Sequence, residues 1–433
     1  MDPKVSVLLQ VVSVILPLGE ITGGAGDMTG SRMRCWCHPR HWLSVWVITL
    51  AVLCLWANPS AAVEVKTGIL RVDYPVLAPV SRFDRKPDDL GFSGAQLGNE
   101  DNLTTGSFLG HKFEMATIAT PPEQAVEAAQ KLVSEGVRFL VILANAEDTV
   151  RITDAVGPEV LAFNALAPDN ALRQSKCRTN LFHVAPSRAM LADALAQFLV
   201  WKRWNRWLLI EGSNPDDRKL GNAYRRAATK FGARIVEQRT YEDTGGSRRS
   251  DSGHVLVQRQ MPVFTQDATD HDVLIAADES DVFALYLPFH AWTPRPVAGS
   301  GGLRPVSFHG SHEAWGATQF QRRFEKLSGR FLQPADYNAW LALRVIGEAV
   351  TRTNSDDPQV LKDYMLGDDF ELAAFKGQKV TFRNWNGQMR QPVLLTDSKI
   401  TVGVSPQEGF LHHRSPLDSL GLDEPESDCD AFK

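Results

Sequence analysis

The stretch "TPPEQAVEAAQKLVSEGVRFLVILA" (residues 120–144) decides the fold, because it joins an amphipathic helix to a largely apolar strand. Thr120 is a good N-cap residue, and Glu123 completes a predicted capping box. Gly136 ends the predicted helix. One face of that helix is apolar and consists of Ala125, Ala129, Leu132 and Val133. The strand that follows (137–144) is apolar along nearly its whole length, which is typical of a parallel strand covered on both faces.

The same alternation of strand and helix extends in both directions from this stretch. Further strands are predicted over 66–74, 112–119, 159–165, 180–186, 206–212 and 233–241, and the pattern resumes in 271–289. Helices are predicted over 91–106, 187–204 and near 216–231. Such alternation implies right-handed crossovers and parallel sheets, and the strands are too many for one small sheet, so two α/β lobes are predicted. Segment 242–271 is predicted as a surface excursion with weak strand character at 255–264.

The N-terminal segment carries a predicted export signal. Arg34 and Arg40 precede an apolar run (42–56), and small residues follow it up to Ala62. This pattern predicts a secretory signal cut near Ala62 and a periplasmic location. A membrane anchor is the alternative, although the run is shorter than the roughly 20 residues that a span needs. Met33 is the favoured start of the chain.

Composition and charge exclude some partners. With 43% hydrophobic and 22% charged residues, the chain has the composition of a soluble globular protein. Its net charge of -5 gives no reason to expect nucleic acid as a partner. Of its 5 cysteines, Cys177 and Cys429 follow the predicted signal. In an oxidising compartment they predict one disulfide that ties the C-terminal tail to the body, with two free thiols as the alternative.

Four segments follow one another in this chain: "GAQLGNEDNLTTGSFLGHKFEM", "LLIEGSNPDDRKLGNAYRRAATKFGARIVEQRTY", "PADYNAWLALRVIGEAV" and "FKGQKVTFRNWNGQMRQPVLL". In this order they resemble the first helix, the start of the second lobe, the late helix and the closing hairpin of periplasmic solute-binding proteins of the Leu/Ile/Val class. The matches span nearly all of 64–402. The resemblance implies an α/β fold of periplasmic-binding-protein type I, with two Rossmann-like lobes, a hinge of three crossings and a ligand held between the lobes.

The resemblance also implies how the chain is divided and what it works with. The implied segments are an upstream extension with the signal peptide (1–62), the first part of lobe 1 (63–186), lobe 2 (187–305), a return to lobe 1 with the closing hairpin (306–402) and a C-terminal tail (403–433). The implied partners are the permease and ATPase subunits of an ABC transporter, with the binding protein itself a monomer. Because parallel sheets bind ligands beyond the carboxyl ends of their strands, the loops after Asp73, Ala144, Ala165 and Gly212 are predicted to face the cleft.

Two further segments, "YPVLAPVSRFDRKPDDLGFSGAQLG" and "RPVAGSGGLRP", resemble a subgroup encoded beside PQQ-dependent alcohol dehydrogenases in methanol- and alcohol-oxidising bacteria. Transporters of such bacteria have been linked to lanthanides, so a bound lanthanide or Ca²⁺ ion is one implied ligand. PQQ or another small organic molecule is the alternative ligand. A sensing or assembly partner of the dehydrogenase system is the alternative function. No G-x-S-x-G, P-loop or GxGxxG motif stands between strand and helix, which favours a protein that is not an enzyme.

Asn145, Glu147 and Asp148 lie just after the carboxyl end of the predicted strand over 137–144. Amino-acid-binding relatives usually offer Ser or Thr hydroxyls there. Paired carboxylates would repel a carboxylate ligand in a partly desolvated cleft, which favours a cation or an amine. The alternative is that both acids occupy the first turn of a helix and complement its dipole, for about 0.3–1 kcal/mol each.

The loop "SRFDRKPDDLGF" (81–92) supplies a second group of carboxylates. Asp84, Asp88 and Asp89 lie there, and Asp84 and Asp88 join Glu147 and Asp148 in the predicted metal-ligand set. Hard cations take roughly six to eight oxygen ligands, often from one loop and a distant acid. The spacing fits no EF-hand, and a loop that pairs with its own basic neighbours is the alternative.

Three other residues complete the predicted ligand site. Asp169 follows the strand over 159–165 and is predicted to face the cleft, with a Pro-Asp-Asn turn as the alternative. Tyr74 and Trp292 fall near predicted strand ends, where an aromatic ring can stack on an organic ligand. The histidines of "HGSHE" (309–313) match neither order used by zinc peptidases, so this motif is predicted as a turn.

Overall fold

The computed structural model describes residues 63–75, 79, 81, 85–243 and 251–432, without the side chains of 251–255. The predicted signal sequence and Asp84 lie outside the described residues. Among the residues described, no helix has both the length and the apolar character needed to cross a membrane.

The described helices and strands follow the predicted alternation. The helices are α1 (Phe92–Gly106), α2 (Ala125–Ser134), α3 (Ala146–Val156), α4 (Arg188–Trp201), α5 (Pro215–Phe231), α6 (Asp251–Thr265), α7 (Leu287–His290), α8 (Ala317–Ser328), α9 (Pro334–Thr353) and α10 (Pro358–Leu366). The strands are β1 (Glu64–Val72), β2 (Lys112–Thr120), β3 (Phe139–Leu143), β4 (Leu161–Asn164), β5 (Leu181–His183), β6 (Arg206–Gly212), β7 (Arg234–Tyr241), β8 (Val273–Ala277), β9 (Val297–Gly299), β10 (Arg304–Val306), β11 (Leu372–Ala373), β12 (Lys379–Phe382), β13 (Met389–Arg390), β14 (Val393–Thr396) and β15 (Thr401–Ser405).

Lobe 1 is built on a parallel sheet of five strands in the order β2-β1-β3-β4-β5. All residues of β3 are buried, because helices cover both faces of the sheet. Side chains of α1 and α9 pack on one face, and those of α2 and α3 pack on the other. The sheet therefore opens to ligands only at its edges, and the carboxyl ends of β1, β3 and β4 lie at one of them.

Lobe 2 repeats this construction with four parallel strands in the order β7-β6-β8-β9. Trp207 and Leu209 face α4 and α5, whereas Leu208 and Ile210 face the side that contains Met261 of α6. The alternation of buried side chains along β6 follows from the two-residue period of a strand.

The chain crosses between the lobes after β5, near β10 and between β13 and β14. A short antiparallel sheet in the order β10-β14-β15 lies at these crossings. Within β14, Leu394 joins the core of lobe 1, while Val393 and Leu395 join the core of lobe 2. Strand β14 of the hinge thus contacts the cores of both lobes. The residue at which each lobe begins stays a prediction.

The C-terminal tail connects the lobes again. Phe410 packs on Phe231 of α5 with ring centroids 5.4 Å apart, which attaches the tail to lobe 2. Further along, Cys429 forms a disulfide with Cys177 of lobe 1 across 252 residues of sequence, with Cα atoms 5.8 Å apart. The predicted disulfide is confirmed, and it fixes the tail on the side of lobe 1.

Two local predictions are wrong. The weak strand predicted over 255–264 lies within α6, because Met261 and Thr265 are buried one helical turn apart against lobe 2. The capping box at Thr120 does not form: Thr120 is the last residue of β2, and a 3-10 turn over Pro122–Gln124 precedes α2. The predicted apolar face of α2 is nevertheless the buried one.

Candidate functional site

Three predicted site residues meet at the carboxyl edge of lobe 1. The Tyr74 hydroxyl, just after β1, donates to Oδ2 of Asp148 at 2.6 Å and accepts from the backbone N–H of Asn145 at 3.1 Å. Asn145 caps α3, because its Oδ1 accepts from the backbone N–H of Asp148 at 2.8 Å. Since β1 and β3 are neighbours in the sheet, residues 71 positions apart come into contact here.

The charge of this group is largely neutralised inside lobe 1. Asp148 is buried, and Arg151 donates to its Oδ1 at 2.7 Å. Burial, followed by the hydrogen bond to Asp148, raises the pKa of the Tyr74 hydroxyl well above its usual range. Glu147 is exposed in the same first turn of α3. Tyr74 and Asn145 can therefore offer hydroxyl and amide groups to a solute, while Asp148 holds them in position.

A second group of charges joins the two lobes. Asp169, in the loop after β4, accepts from Nη1 of Arg188 at 2.9 Å, and Arg188 is the first residue of α4. Lys219 of α5 lies 3.3 Å from the same Asp169 oxygen. Burial pushes the pKa of Asp169 upward, but the positive charges of Arg188 and Lys219 outweigh it and hold this pKa below its ordinary value.

Arg188 is the centre of this interlobe group. Its guanidinium is nearly buried and also donates to Oε1 and Oε2 of Glu279, in the loop after β8, at 2.7 and 2.6 Å. Asp216 lies 3.5 Å from Arg188 and 2.8 Å from Lys219. Burial raises the pKa of Glu279 despite the opposing effect of Arg188. The carboxyl ends of β4 and β8 thus meet across the cleft through one shared cation.

The remaining predicted residues lie elsewhere. Asp88 is exposed, and only its backbone carbonyl is engaged by Arg71, at 2.8 Å. Asp89 accepts from Ser93 at 2.5 Å and from Arg330 at 2.8 Å, so its carboxylate attaches the start of α1 to the loop before α9. Trp292 is exposed in the loop that enters β9, at the amino edge of the sheet of lobe 2 and away from the carboxyl ends.

The described part of the chain does not gather a metal-ligand set. No group of three His, Cys, Asp or Glu side chains there is arranged to hold a metal ion. Asp148 is engaged by Tyr74 and Arg151, and Asp88 and Glu147 form no such group with it. The side chains described therefore do not fit a preformed hard-cation site.

Arg188, Lys219 and Glu279 were not expected from the sequence. Glu279 follows Asp278 at the end of the apolar strand β8, which is the same signal that marked Glu147 and Asp148 after β3. Arg188 stands directly after the first crossing, at the start of α4. A search of every strand end for charged residues would have found Glu279, but the pairing with Arg188 across 91 positions needs the fold.

Comparison with known proteins places this geometry in a recognised fold. A family model described as periplasmic binding protein matches residues 90–255. A branched-chain amino acid ABC transporter periplasmic ligand-binding protein of Burkholderia xenovorans LB400 superposes with a TM-score of 0.66 at 16% identity, over 85% of this chain and 100% of that one. The chain has the type I periplasmic binding protein fold.

Two further proteins are similar to this chain. The leucine-, isoleucine-, valine-, threonine- and alanine-binding protein of Brucella ovis, solved in a closed conformation, superposes with a TM-score of 0.60 at 15% identity, over 78% of this chain and 90% of that one. The Leu/Ile/Val-binding protein BraC3 of Rhizobium johnstonii is 26% identical over 147 residues. That match covers 33% of this chain and 37% of the curated relative, little more than a third of its length.

Proposed function

We propose that this protein is the periplasmic solute-binding component of an ABC importer and captures a small solute between its two lobes. The observation that carries the proposal is the meeting of both sheets at their carboxyl ends, where Asp169 of lobe 1 and Glu279 of lobe 2 share Arg188. Open parallel sheets bind ligands at this edge. The solute-binding roles named for the Burkholderia and Brucella structures support the same function.

We propose a small polar organic molecule as the solute. The interlobe group offers two cations, Arg188 and Lys219, beside three carboxylates, and Tyr74 adds a hydroxyl. A solute with both donors and acceptors can replace some of these interlobe contacts. Because Arg151 and Tyr74 already engage Asp148, the expected repulsion of a ligand carboxylate at this position is weakened.

The second candidate is a hard cation, including a lanthanide, in a system for PQQ-dependent alcohol oxidation. This prediction comes from the sequence resemblance. The exposed carboxylates of Asp88 and Glu147 support it only in part, since a trivalent ion needs several oxygen ligands. PQQ itself, and a role as a sensing or assembly partner without transport, are further outcomes that the same experiments separate.

A thermal-shift screen of the purified protein tests the proposal with amino acids, short alcohols, PQQ, Ca²⁺ and a lanthanide salt as probes. A solute present at a hundredfold excess over its Kd stabilises the folded state by about 2.7 kcal/mol, which raises the Tm. An organic solute should give this shift, and Lys219→Met should reduce it, since Lys219 is exposed at the cleft and contributes positive charge. Trp292→Ala, at the opposite edge of lobe 2, is the matched control and should leave the shift unchanged.

Transport is tested in cells that lack this chain. Uptake of the solute found in the screen should fall and should be restored by the wild-type protein. Normal uptake without the chain would instead support a sensing role. A shift with the lanthanide alone, abolished by Asp88→Asn and Glu147→Gln, would replace the organic solute with the hard cation.

A further inference from the structure

A cavity outside the interlobe cleft lies between the end of α10, the hairpin of β12 and β13, and the C-terminal tail. Its volume is about 460 Å³. Leu366, Phe370 and Phe382 form apolar walls, while Arg390, Arg414 and Ser415 supply polar groups. The tail contributes Arg414 and Ser415, so this cavity exists only when the tail is folded onto lobe 1.

Three arginines surround one tryptophan beside the cavity. The guanidinium carbons of Arg383, Arg390 and Arg414 lie 5.5, 5.0 and 5.7 Å from the ring centroid of Trp385. The electron-rich face of the ring attracts these cations. Asp418, which is buried, pairs with Arg383 and Arg390 at 2.8 Å each.

Charges of both signs surround the cavity, since Arg390 and Arg414 line it together with Asp368 and Asp418. Asp418 and Glu424 are the two carboxylates paired with the three guanidinium groups, since Arg414 lies 2.7 Å from Glu424. Asp418 is fully buried and already shared between two arginines, so it adds little negative charge to the cavity. Asp368 also lines the cavity; like Arg414 it is exposed, so solvent screens both of these charges.

Both arginines of the cavity wall carry N–H groups that the described hydrogen bonds and ion pairs do not use. The described hydrogen bonds of Arg390 use Nε and Nη1, which donate to Asp418, to the Phe382 carbonyl and to Thr381, so the N–H groups of Nη2 remain for a ligand. The ion pair of Arg414 uses Nη2 alone.

We propose that this cavity is a second ligand site, separate from the cleft, which binds an organic carboxylate with an apolar body. The carboxylate lies between Arg390 and Arg414, whose planar groups suit carboxylate oxygens, and the hydroxyl of Ser415 is a further donor at the cavity wall. The apolar body packs on Phe370 and Phe382. Both halves of the ligand are needed, because the walls are apolar on one side and offer arginine N–H groups on the other.

The test measures binding of hexanoate to the full chain by isothermal titration calorimetry, with hexanol and sulfate as probes for each half of the ligand. Hexanoate should bind at least tenfold more tightly than either probe. Arg414→Gln should weaken hexanoate binding about tenfold, which corresponds to the loss of one charge-assisted contact. Asn384→Asp, which adds a negative charge at an exposed position of the cavity wall, should weaken it as well.

Arg352→Gln is the matched control, because Arg352 is an exposed arginine on α9 that also pairs with a glutamate, Glu348, at 2.8 Å. This variant should bind hexanoate like the wild type. Equal binding of hexanol and hexanoate would overturn the proposal, as would hexanoate binding that both Arg414→Gln and Asn384→Asp leave unchanged. Thermal melting of each variant without ligand checks that it is folded.

Discussion

At the scale of single residues, the cleft edge of lobe 1 depends on Tyr74. Its hydroxyl is both a donor and an acceptor, and it connects β1 to the start of α3. Asp148 is buried, so its carboxylate needs the two partners that it has, Tyr74 and Arg151. Two neighbouring acids suggested a cation site in the sequence. In the fold, Asp148 is buried and holds Tyr74 and Asn145 in position, whereas Glu147 is exposed.

Tyr74→Phe should lower the free energy of unfolding by about 1–3 kcal/mol, because Asp148 loses a hydrogen-bond donor while it remains buried. The folded chain keeps the Tyr74 proton above pH 10.0, where an ordinary tyrosine loses it, since burial and Asp148 raise this pKa. The stabilisation by Tyr74 is therefore full below pH 10 and decreases as the pH rises further. Urea denaturation at pH 7 measures the loss of stability on substitution, and denaturation at pH 10–11 measures how the contribution of Tyr74 decreases. If the Tyr74→Phe variant loses stability above pH 10 as steeply as the wild type, the predicted pH dependence is wrong.

Tyr74, Asn145 and Asp148 could be singled out from the sequence because they lie within five residues of the carboxyl ends of the apolar strands β1 and β3. The partners of Asp169 could not, since Arg188 and Lys219 stand 19 and 50 positions away, on helices whose orientation only the packed lobes define. Trp292 shows the limit of this sequence signal. It lies near a strand, but at the amino end, and proximity to a strand in sequence does not distinguish the two edges of a sheet.

At the scale of elements, apolar periodicity predicted the sheets well and the irregular joints poorly. β3 and the buried face of α2 follow the sequence pattern directly. In α6, the apolar residues of 255–264 suggested a weak strand, but the segment is helical and Met261 packs in the core of lobe 2. Thr120 pairs with Val72 as the last residue of β2 instead of capping a helix. Long-range contacts thus override local propensity at both places.

The contact between α1 and α9 gives an element-scale prediction. A Cβ atom at Gly94 of α1 would overlap the backbone carbonyl of Asp336 in α9. Gly94→Ala should therefore lower the free energy of unfolding by about 1–3 kcal/mol through overpacking, although alanine is the better helix former. Gly310→Ala is the control, because its Cβ would be 3.7 Å from Phe331, an ordinary contact. Chemical denaturation of both variants measures the difference, and a Gly94→Ala variant as stable as Gly310→Ala would contradict the close approach.

At the scale of the whole molecule, a buried lysine joins the three predicted crossings. Lys376 donates to the Ser307 carbonyl after β10 at 3.2 Å and to Oε1 of Gln391 before β14 at 2.7 Å. Gln391 in turn donates to the Val184 carbonyl after β5 at 2.6 Å. The hinge therefore has a polar centre that contacts every crossing, with the Tyr337 ring 4.9 Å from the ammonium nitrogen.

Lys376→Met should change how stability depends on pH. Burial lowers the pKa of Lys376 well below the 10.5 of an ordinary lysine, so the unfolded chain binds more protons between these two pKa values. The free energy of unfolding of the wild type should therefore rise relative to Lys376→Met as the pH increases across this window up to about 10.5. Urea denaturation across this range measures the difference. Lys379→Met, which removes an exposed lysine three residues further on, at the start of β12, is the control. Parallel pH profiles of the free energy of unfolding for the wild type and Lys376→Met would contradict the prediction.

The tail connects the lobes in a way that the predicted three-crossing hinge does not include. Arg226 and Lys230 of α5 donate to the Gly421 carbonyl at 2.9 Å each, so the tail is held by lobe 2 before Cys429 attaches it to lobe 1. A double variant, Cys177→Ser with Cys429→Ser, should lower the free energy of unfolding by about 2–4 kcal/mol, because closing a long loop in the unfolded chain restricts it.

The same double variant tests whether the tail restrains the hinge. With one attachment removed, the lobes should separate more easily, so small-angle scattering without solute should give a larger radius of gyration than the wild type. Gly421→Ala is unsuitable as a control, because Gly421 has a positive φ of 86°. Thr353→Ser, at the last residue of α9, serves instead and should leave the radius unchanged. If the double variant is less stable but has the wild-type radius, the tail stabilises the fold without limiting the opening of the cleft.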